Sequence, residues 1–164
     1  MSELPKQAGP VLDAARAHGL ELRVIEFPDG TRTAADAARA VGCDVAQIVK
    51  SLVFMADERP VLVLTSGGNR VDLHKVARQL GVARVRKADA DQARAATGFA
   101  IGGTPPFGHP APIDVLIDED LVELGGVWAA AGTPRHVFEI ASADLVLASG
   151  GKVCDLAEAM AGTG

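Results

Sequence analysis

The sequence predicts a single α+β domain, and three observations carry that reading. The 164 residues are 48% hydrophobic and 23% charged, which suits one real core and excludes a disordered chain. Six or seven short runs have the apolar, β-branched character of strands, several of them joined as hairpins. Four or five short helices are interspersed without strict strand–helix–strand alternation, so a doubly wound nucleotide-binding sheet is disfavoured. No internal repeat, linker or low-complexity tract divides residues 1–164.

In order, residues 10–18 predict a helix, with Pro10 in its first turn and Gly19 at its end. Leu22 to Phe27 reads as a strand stopped by Pro28-Asp29-Gly30. Thr33 caps a helix over Ala34 to Val41, with Asp36 in a capping-box variant and Gly42 as its stop. Asp44 to Gln47 reads as a helical turn. Ile48 to Met55 is the most apolar run and predicts a buried strand, returning through Asp57-Glu58-Arg59 as a hairpin over Pro60 to Thr65.

Gly67-Gly68-Asn69 is a turn, and Asp72 caps a helix over Leu73 to Leu80 that Gly81 ends. Val82 to Val85 reads as a short strand. Asp89 opens a helix that runs to Thr97 and stops at Gly98. Ile113 to Ile117 predicts a strand, followed by a helical turn at Asp118 to Leu121. Val127 to Ala131 and His136 to Ile140 form a second hairpin. Ser142 caps a helix over Ala143 to Ala148. Lys152 to Cys154 is a last short strand, and Asp155 to Met160 a terminal turn.

Two stretches stand out chemically. Gly102 to Pro110 holds three glycines and three prolines between apolar runs, so it is neither helix nor central strand. A rigid, glycine-bearing loop of this kind either crosses over structurally or points N–H groups at a ligand. It is neither a P-loop nor a dinucleotide fingerprint. Lys50 sits inside the most apolar strand. It either snorkels to solvent or meets an anion in a cleft.

No nucleophile is evident. Ser51 and Ser66 have no partnered histidine or carboxylate in sequence and there is no GxSxG elbow, so a hydrolase would use water. Cys43 and Cys154 belong to no CxxC pair and read as structural thiols. The four histidines lack metal-ligand spacing, and neither a metal nor a cofactor is expected.

The net charge is −5, but residues 70–94 carry seven Lys and Arg against three carboxylates, while residues 114–164 carry two against nine. These are either solvated faces or, for 70–94, a surface for a phosphate backbone. No apolar run approaches a membrane span and no signal-peptide pattern opens the chain, so a cytoplasmic protein is expected.

Three motifs taken together resemble the YbaK/ProX family. They are Ile48-Val49-Lys50-Ser51-Leu52-Val53-Phe54, Val71-Asp72-Leu73-His74-Lys75-Val76-Ala77, and Thr97-Gly98-Phe99-Ala100-Ile101-Gly102-Gly103-Thr104-Pro105-Pro106-Phe107-Gly108. These proteins are freestanding relatives of the editing domain of bacterial prolyl-tRNA synthetases, and the likeness spans about residues 10–158. The resemblance implies a mixed, barrel-like β-sheet core with surrounding helices. The activity it implies is hydrolysis of the ester joining a wrong amino acid to tRNA.

By the same resemblance, the family lysine falls on Lys50, the Gly-x-x-x-Pro loop on Gly102 to Pro106, and a later glycine on Gly132. Lys50 would hold the terminal phosphate or ribose. Gly102 and Gly103 would supply N–H groups to the aminoacyl oxyanion. Ser51 stands where relatives vary, and the stretch Ala131 to His136 departs from the form of the cysteine-specific members; His136 would replace a histidine that some members use. Phe27, Thr31 and Ser51 would shape a pocket for a small side chain of the Ala, Ser, Thr or Cys class, with Pro106, Gly132 and His136 also on the substrate. His109 is assigned a structural role.

The expected partners are a tRNA acceptor end, met by residues 70–94, and an aminoacyl-tRNA synthetase. The oligomeric state is left open. The competing reading is a non-catalytic module that senses an amino acid or aminoacyl-nucleotide, or that associates with a synthetase.

Overall fold

The computed structural model describes residues 4–27 and 33–159. Helices form where the local capping chemistry dictates. The first, α1 (Ala8–Ala17), carries Pro10 in its first turn, where no N–H is needed, and buries Val11 and Ala15. In α2 (Ala34–Val41) the Thr33 hydroxyl accepts from the Asp36 N–H. Asp72 caps α3 (Leu73–Leu80), and Asp89 caps α4 (Ala90–Thr97) in a full capping box with Gln92. A 3-10 turn spans Val45–Gln47. The short helix α5 (Glu119–Val122) follows Asp118, and α6 (Ser142–Ser149) precedes the last strand.

The strands are β1 (Val24–Glu26), β2 (Val49–Ala56), β3 (Arg59–Ser66), β4 (Val85–Lys87), β5 (Asp114–Asp118), β6 (Gly126–Ala130), β7 (His136–Ala141) and β8 (Lys152–Cys154). Among the described residues they form a three-stranded antiparallel sheet, β1-β7-β6, and a mixed five-stranded sheet, β4-β2-β3-β5-β8. In the larger sheet β2 and β3 are an antiparallel hairpin, while β3, β5 and β8 run parallel. A parallel bridge between Ile48 and Trp128 ties the start of β2 to the smaller sheet, which gives the α+β core its barrel-like closure.

Side-chain alternation along β2 sorts the core. Val49, Val53 and Met55 face an interior shared with Leu62, Leu64, Ile117, Val127 and Phe138, between the two sheets. Phe54 and Ala56 face the opposite side, covered by Val76 of α3 and by Leu156. A third cluster packs Ala37 and Ala38 of α2 on Phe27, Ile48 and Val137.

The predicted elements hold in order, but the described residues carry eight strands and six α-helices where six or seven strands and four or five helices are expected, and three details differ. The short strand expected over Val82 to Val85 lies at Val85–Lys87 instead. The Ala83 and Arg84 N–H groups are taken by the Asp57 carboxylate, so pairing with β2 begins only at Val85. Ser142 does not cap α6; it lies inside the first turn, and its buried hydroxyl donates to the Leu121 carbonyl. After Cys154 residues 155–159 form no terminal turn, and Met160, where that turn is expected to end, lies outside the described residues. Ala157 bridges to Val71, and the Asp72 N–H donates to the Leu156 carbonyl.

Candidate functional site

The site begins with an incomplete strand pairing. β4 pairs with β2 only at Phe54, Met55 and Ala56. The Ala88 N–H donates to the Val53 carbonyl, so the odd-numbered residues of β2 turn their backbone groups toward the β4 side. Beyond the end of β4, that alternation leaves the Ser51 N–H and C=O facing an edge that no strand covers among the described residues.

A cavity of about 310 Å³ lies along this edge. One wall is Val49, Lys50, Ser51 and Leu52 of β2, and another is Ala34, Ala37 and Val41 of α2. Trp128, Ala129 and Ala130 of β6 and Val137 of β7 form the floor, with Phe27 beside them. Ile101, Gly102 and Thr104 close one side, and Thr133 and Pro134, from the turn between β6 and β7, meet them. Most of this lining is apolar, with a few polar groups converging on it, which is the usual make-up of a small-ligand site.

Two of those polar groups are unusual. The Lys50 ammonium donates to the Asn69 carbonyl at 2.7 Å and, among the described residues, makes no salt bridge. Burial holds its pKa below the ordinary lysine value, the nearby Arg70 guanidinium lowers it further, and Asp118 opposes them. The Ser51 hydroxyl is buried without a hydrogen-bond partner among the described residues. Such a group carries a desolvation cost of about 1–3 kcal/mol, so an orphan on a cavity wall points to a ligand that completes it.

The glycine loop is locked by its own turn. The Ala100 carbonyl accepts from the Gly103 N–H at 3.0 Å and from the Thr104 hydroxyl at 3.2 Å. Gly102 takes a φ of +90°, a region that favours glycine. Gly103 packs so closely on the neighbouring turn that a Cβ there would stand 2.7 Å from Thr133 Cα. The second half of the loop is anchored elsewhere. Phe107 is buried against Phe138, and the His109 Nε2–H donates to the Pro105 carbonyl at 2.8 Å. Burial lowers the His109 pKa, and its ring meets Phe99 edge-on. His109 is thus a brace for the loop.

The structure therefore brings together Phe27, Lys50, Ser51 and Gly102 on one cavity. Thr31 lies outside the described residues. Gly103 does not line the cavity, and its N–H, expected to serve an oxyanion, is committed to Ala100. Pro106 is buried away from the cavity wall. Gly132 packs on the Gln7 backbone, where a Cβ would stand 2.5 Å from the carbonyl oxygen. His136 also sits behind the wall. Its Nδ1 shares a 2.6 Å hydrogen bond with the Thr133 hydroxyl, and its Nε2 lies 3.4 Å from Glu26.

The basic segment 70–94 divides. Arg70 lies next to Asn69, which holds Lys50. Arg86 and Lys87 pair opposite Met55 and Phe54, about 17 Å and about 13 Å along β2 from Lys50 at roughly 3.3 Å per residue. Lys75 is bound to Asp155 and the Ala157 carbonyl.

Sequence reading missed the contribution of α2. Ala34, Ala37 and Val41 recur at helical spacing, and that stripe was its signal. It also missed Trp128, the single tryptophan of the chain. Among the described residues no group of His, Cys, Asp or Glu is arranged to hold a metal ion, and no helix is long and apolar enough to cross a membrane.

Comparison with known proteins agrees with this geometry. The family model of the aminoacyl-tRNA editing domain matches residues 28–147. The chain is 29% identical over 123 residues to YwhH of Bacillus subtilis, covering 74% of this chain and 78% of YwhH. It is 30% identical over 124 residues to the proline–tRNA ligase of Lactobacillus helveticus, covering 76% of this chain but only 22% of the ligase. It also resembles a solved structure described as a candidate trans-editing enzyme for prolyl tRNA synthetase. There the TM-score is 0.89 and the identity 46%, over 96% of this chain and all of that one. The sheet order, the open β2 edge and these likenesses converge: the chain belongs to the YbaK-like family of aminoacyl-tRNA editing domains.

Proposed function

We propose that this protein is a trans-editing deacylase that hydrolyses the ester of a misacylated tRNA carrying a small amino acid. The observation that carries the proposal is the pairing, on one cavity, of a half-buried lysine and an orphaned serine hydroxyl. A cation taken partly out of water, with no carboxylate in contact among the described residues, is suited to an anionic ligand, and a phosphate of the tRNA 3′ end supplies one. A cavity of about 310 Å³ is in the range of small-ligand sites and accommodates a terminal ribose with a small aminoacyl group.

In this reading Lys50 holds the 3′-terminal phosphate or ribose, and Arg70 adds positive charge at the same end. The Gly102 N–H, which has no partner among the described residues, donates to the developing oxyanion. Water attacks the ester carbonyl carbon. The bond from that carbon to the ribose oxygen breaks, the ribose oxygen takes the proton, and the free amino acid leaves. Ser51 contacts the aminoacyl group through its hydroxyl and the open backbone edge, which favours the Ala, Ser, Thr or Cys class. The tRNA approaches over Arg70, and the protein works in the cytoplasm, beside the synthetase that makes the error.

The test is a panel of deacylation rates on tRNAs charged with each small amino acid, for wild type and Lys50→Ala. Hydrolysis of one or more of them, lost in the variant with its circular dichroism unchanged, supports the proposal. Saturable binding of the panel without turnover would instead favour a sensing module.

A further inference from the structure

Asp118 is fully buried, yet among the described residues it makes no salt bridge. Buried carboxylates are ordinarily paired or heavily hydrogen-bonded, so its surroundings need an account. Its two oxygens do separate work. Oδ1 accepts from the Asp120 N–H at 3.0 Å and caps α5. Capping needs nothing more. Oδ2 accepts from the Thr65 hydroxyl at 3.1 Å, the Ser66 N–H at 3.1 Å and the Asn69 side-chain amide at 2.8 Å.

All three donors belong to the end of β3 and the turn after it. Asn69 is fixed twice more, by its amide to Asp120 at 2.8 Å and by its own N–H to the Ser66 carbonyl at 2.9 Å. The backbone carbonyl of Asn69 accepts the Lys50 ammonium. Lys50 itself stands opposite Thr65 in the β2–β3 ladder, so the strand register already brings the three together.

We infer that Asn69 and Asp118 are positioning residues for the editing reaction, a buried clamp that fixes the Lys50 ammonium at the cavity. This rests on Lys50 being the cation that meets substrate. Asp118 supplies the countercharge one residue removed. Lys50 therefore keeps an anchor and stays charged, while no carboxylate among the described residues touches it to compete with a substrate phosphate. A lysine has four rotatable side-chain bonds, and a fixed acceptor removes much of that freedom before substrate arrives. The clamp touches neither substrate nor reacting atoms.

The experiment is a double-mutant cycle in single-turnover deacylation, with Asn69→Ala made in the wild-type and Lys50→Ala backgrounds. Beside it, the exchange-protected ammonium signal of Lys50 is recorded by nitrogen-15 NMR. The expected result is about a tenfold rate loss from Asn69→Ala in wild type, little further loss in Lys50→Ala, and loss of the protected signal. Equal losses in both backgrounds, no loss in wild type, or an unchanged signal would overturn the inference. Asp118→Asn repeats the test where it folds, and Thr65→Val, which removes one donor to the same oxygen, replaces it where it does not. Should Lys50→Ala keep wild-type activity, the assignment of Lys50 to the substrate falls, while the ammonium signal still decides whether Asn69 holds it.

Discussion

The two ends of β2 share a strand, yet they differ in what covers them. At the Met55 end β4 completes the sheet, and the charges there are spent on local contacts: Arg86 meets Glu58 and Gln92, and Asp57 caps the 83–84 backbone. At the Lys50 end β4 is missing, and the edge opens on a cavity with a cation held by one carbonyl and a hydroxyl that has no partner among the described residues. An open strand edge is a liability unless something fills it. The difference teaches that the candidate site is made by the shortness of β4 as much as by the residues on β2.

If that contrast is functional, the sharpest break comes at Lys50. Lys50→Ala is expected to lower kcat/KM for deacylation by about 100-fold, with little change in Tm, because the side chain is only half buried. Steady-state kinetics and thermal unfolding on one preparation check both halves. Next is Gly103→Ala, where the new methyl meets the Thr133 backbone and neither chain can yield cheaply. It should cost about 1–3 kcal/mol in denaturant unfolding and also depress activity, by pushing the Gly102 turn away from Thr133. A stable, fully active Gly103→Ala protein would show that the loop and the 133–134 turn need not touch.

The pH dependence tests the electrostatics of the open end. Lys50 acts as a cation, and its charge is lost as pH rises through a pKa held below the ordinary lysine value by burial and then by Arg70. Deacylation, corrected for spontaneous ester hydrolysis, should therefore fall on the alkaline side before an ordinary lysine would titrate. Arg70→Ala removes the like charge and should move that limb to higher pH. A limb that stays in place separates Lys50 from the rate.

Ser51→Ala has a smaller and opposite-looking signature. Removing a buried hydroxyl with no partner should be neutral or stabilise by up to about 1 kcal/mol, while altering the ratio of rates on alanyl and seryl substrates. A clear loss of stability would mean that the hydroxyl is already satisfied in the free protein.

What the sequence disclosed follows from the range of the forces involved. Helices α2, α3 and α4 were legible to the residue because Thr33, Asp72 and Asp89 cap locally, within three residues. The strand β4 was misplaced because its start is decided by Asp57, more than 25 residues away. Ser142 looked like a cap, but a tertiary partner, Leu121, claimed its hydroxyl. In the site, Lys50 and the glycine loop were visible as local anomalies: a charge in an apolar strand, and a stretch no regular element accepts. Asn69 and Asp118 were not visible, because an ordinary turn residue and an ordinary acid become a clamp only when the fold closes the 49-position separation of the two. The spent N–H of Gly103 was equally hidden, since it depends on the turn that the loop adopts.

The smallest effect is expected at the closed end, where it discriminates between two ways for tRNA to approach. If charge across the whole of residues 70–94 gathered the tRNA, Arg86→Ala and Lys87→Ala would each weaken it and flatten the salt dependence, since every phosphate contact adds to that slope. The geometry places the two residues about 13–17 Å along the strand from Lys50, at the end that β4 seals, and Arg86 is already engaged with Glu58. An exposed pair of that kind contributes no more than about 1 kcal/mol to stability, so folding is untouched. Arg86→Ala should thus change kcat/KM less than about twofold at any salt concentration, while Arg70→Ala lowers it and reduces the slope by about one unit. Equal slopes for the two variants would extend the tRNA footprint over the closed end and dissolve the distinction between the two halves of β2.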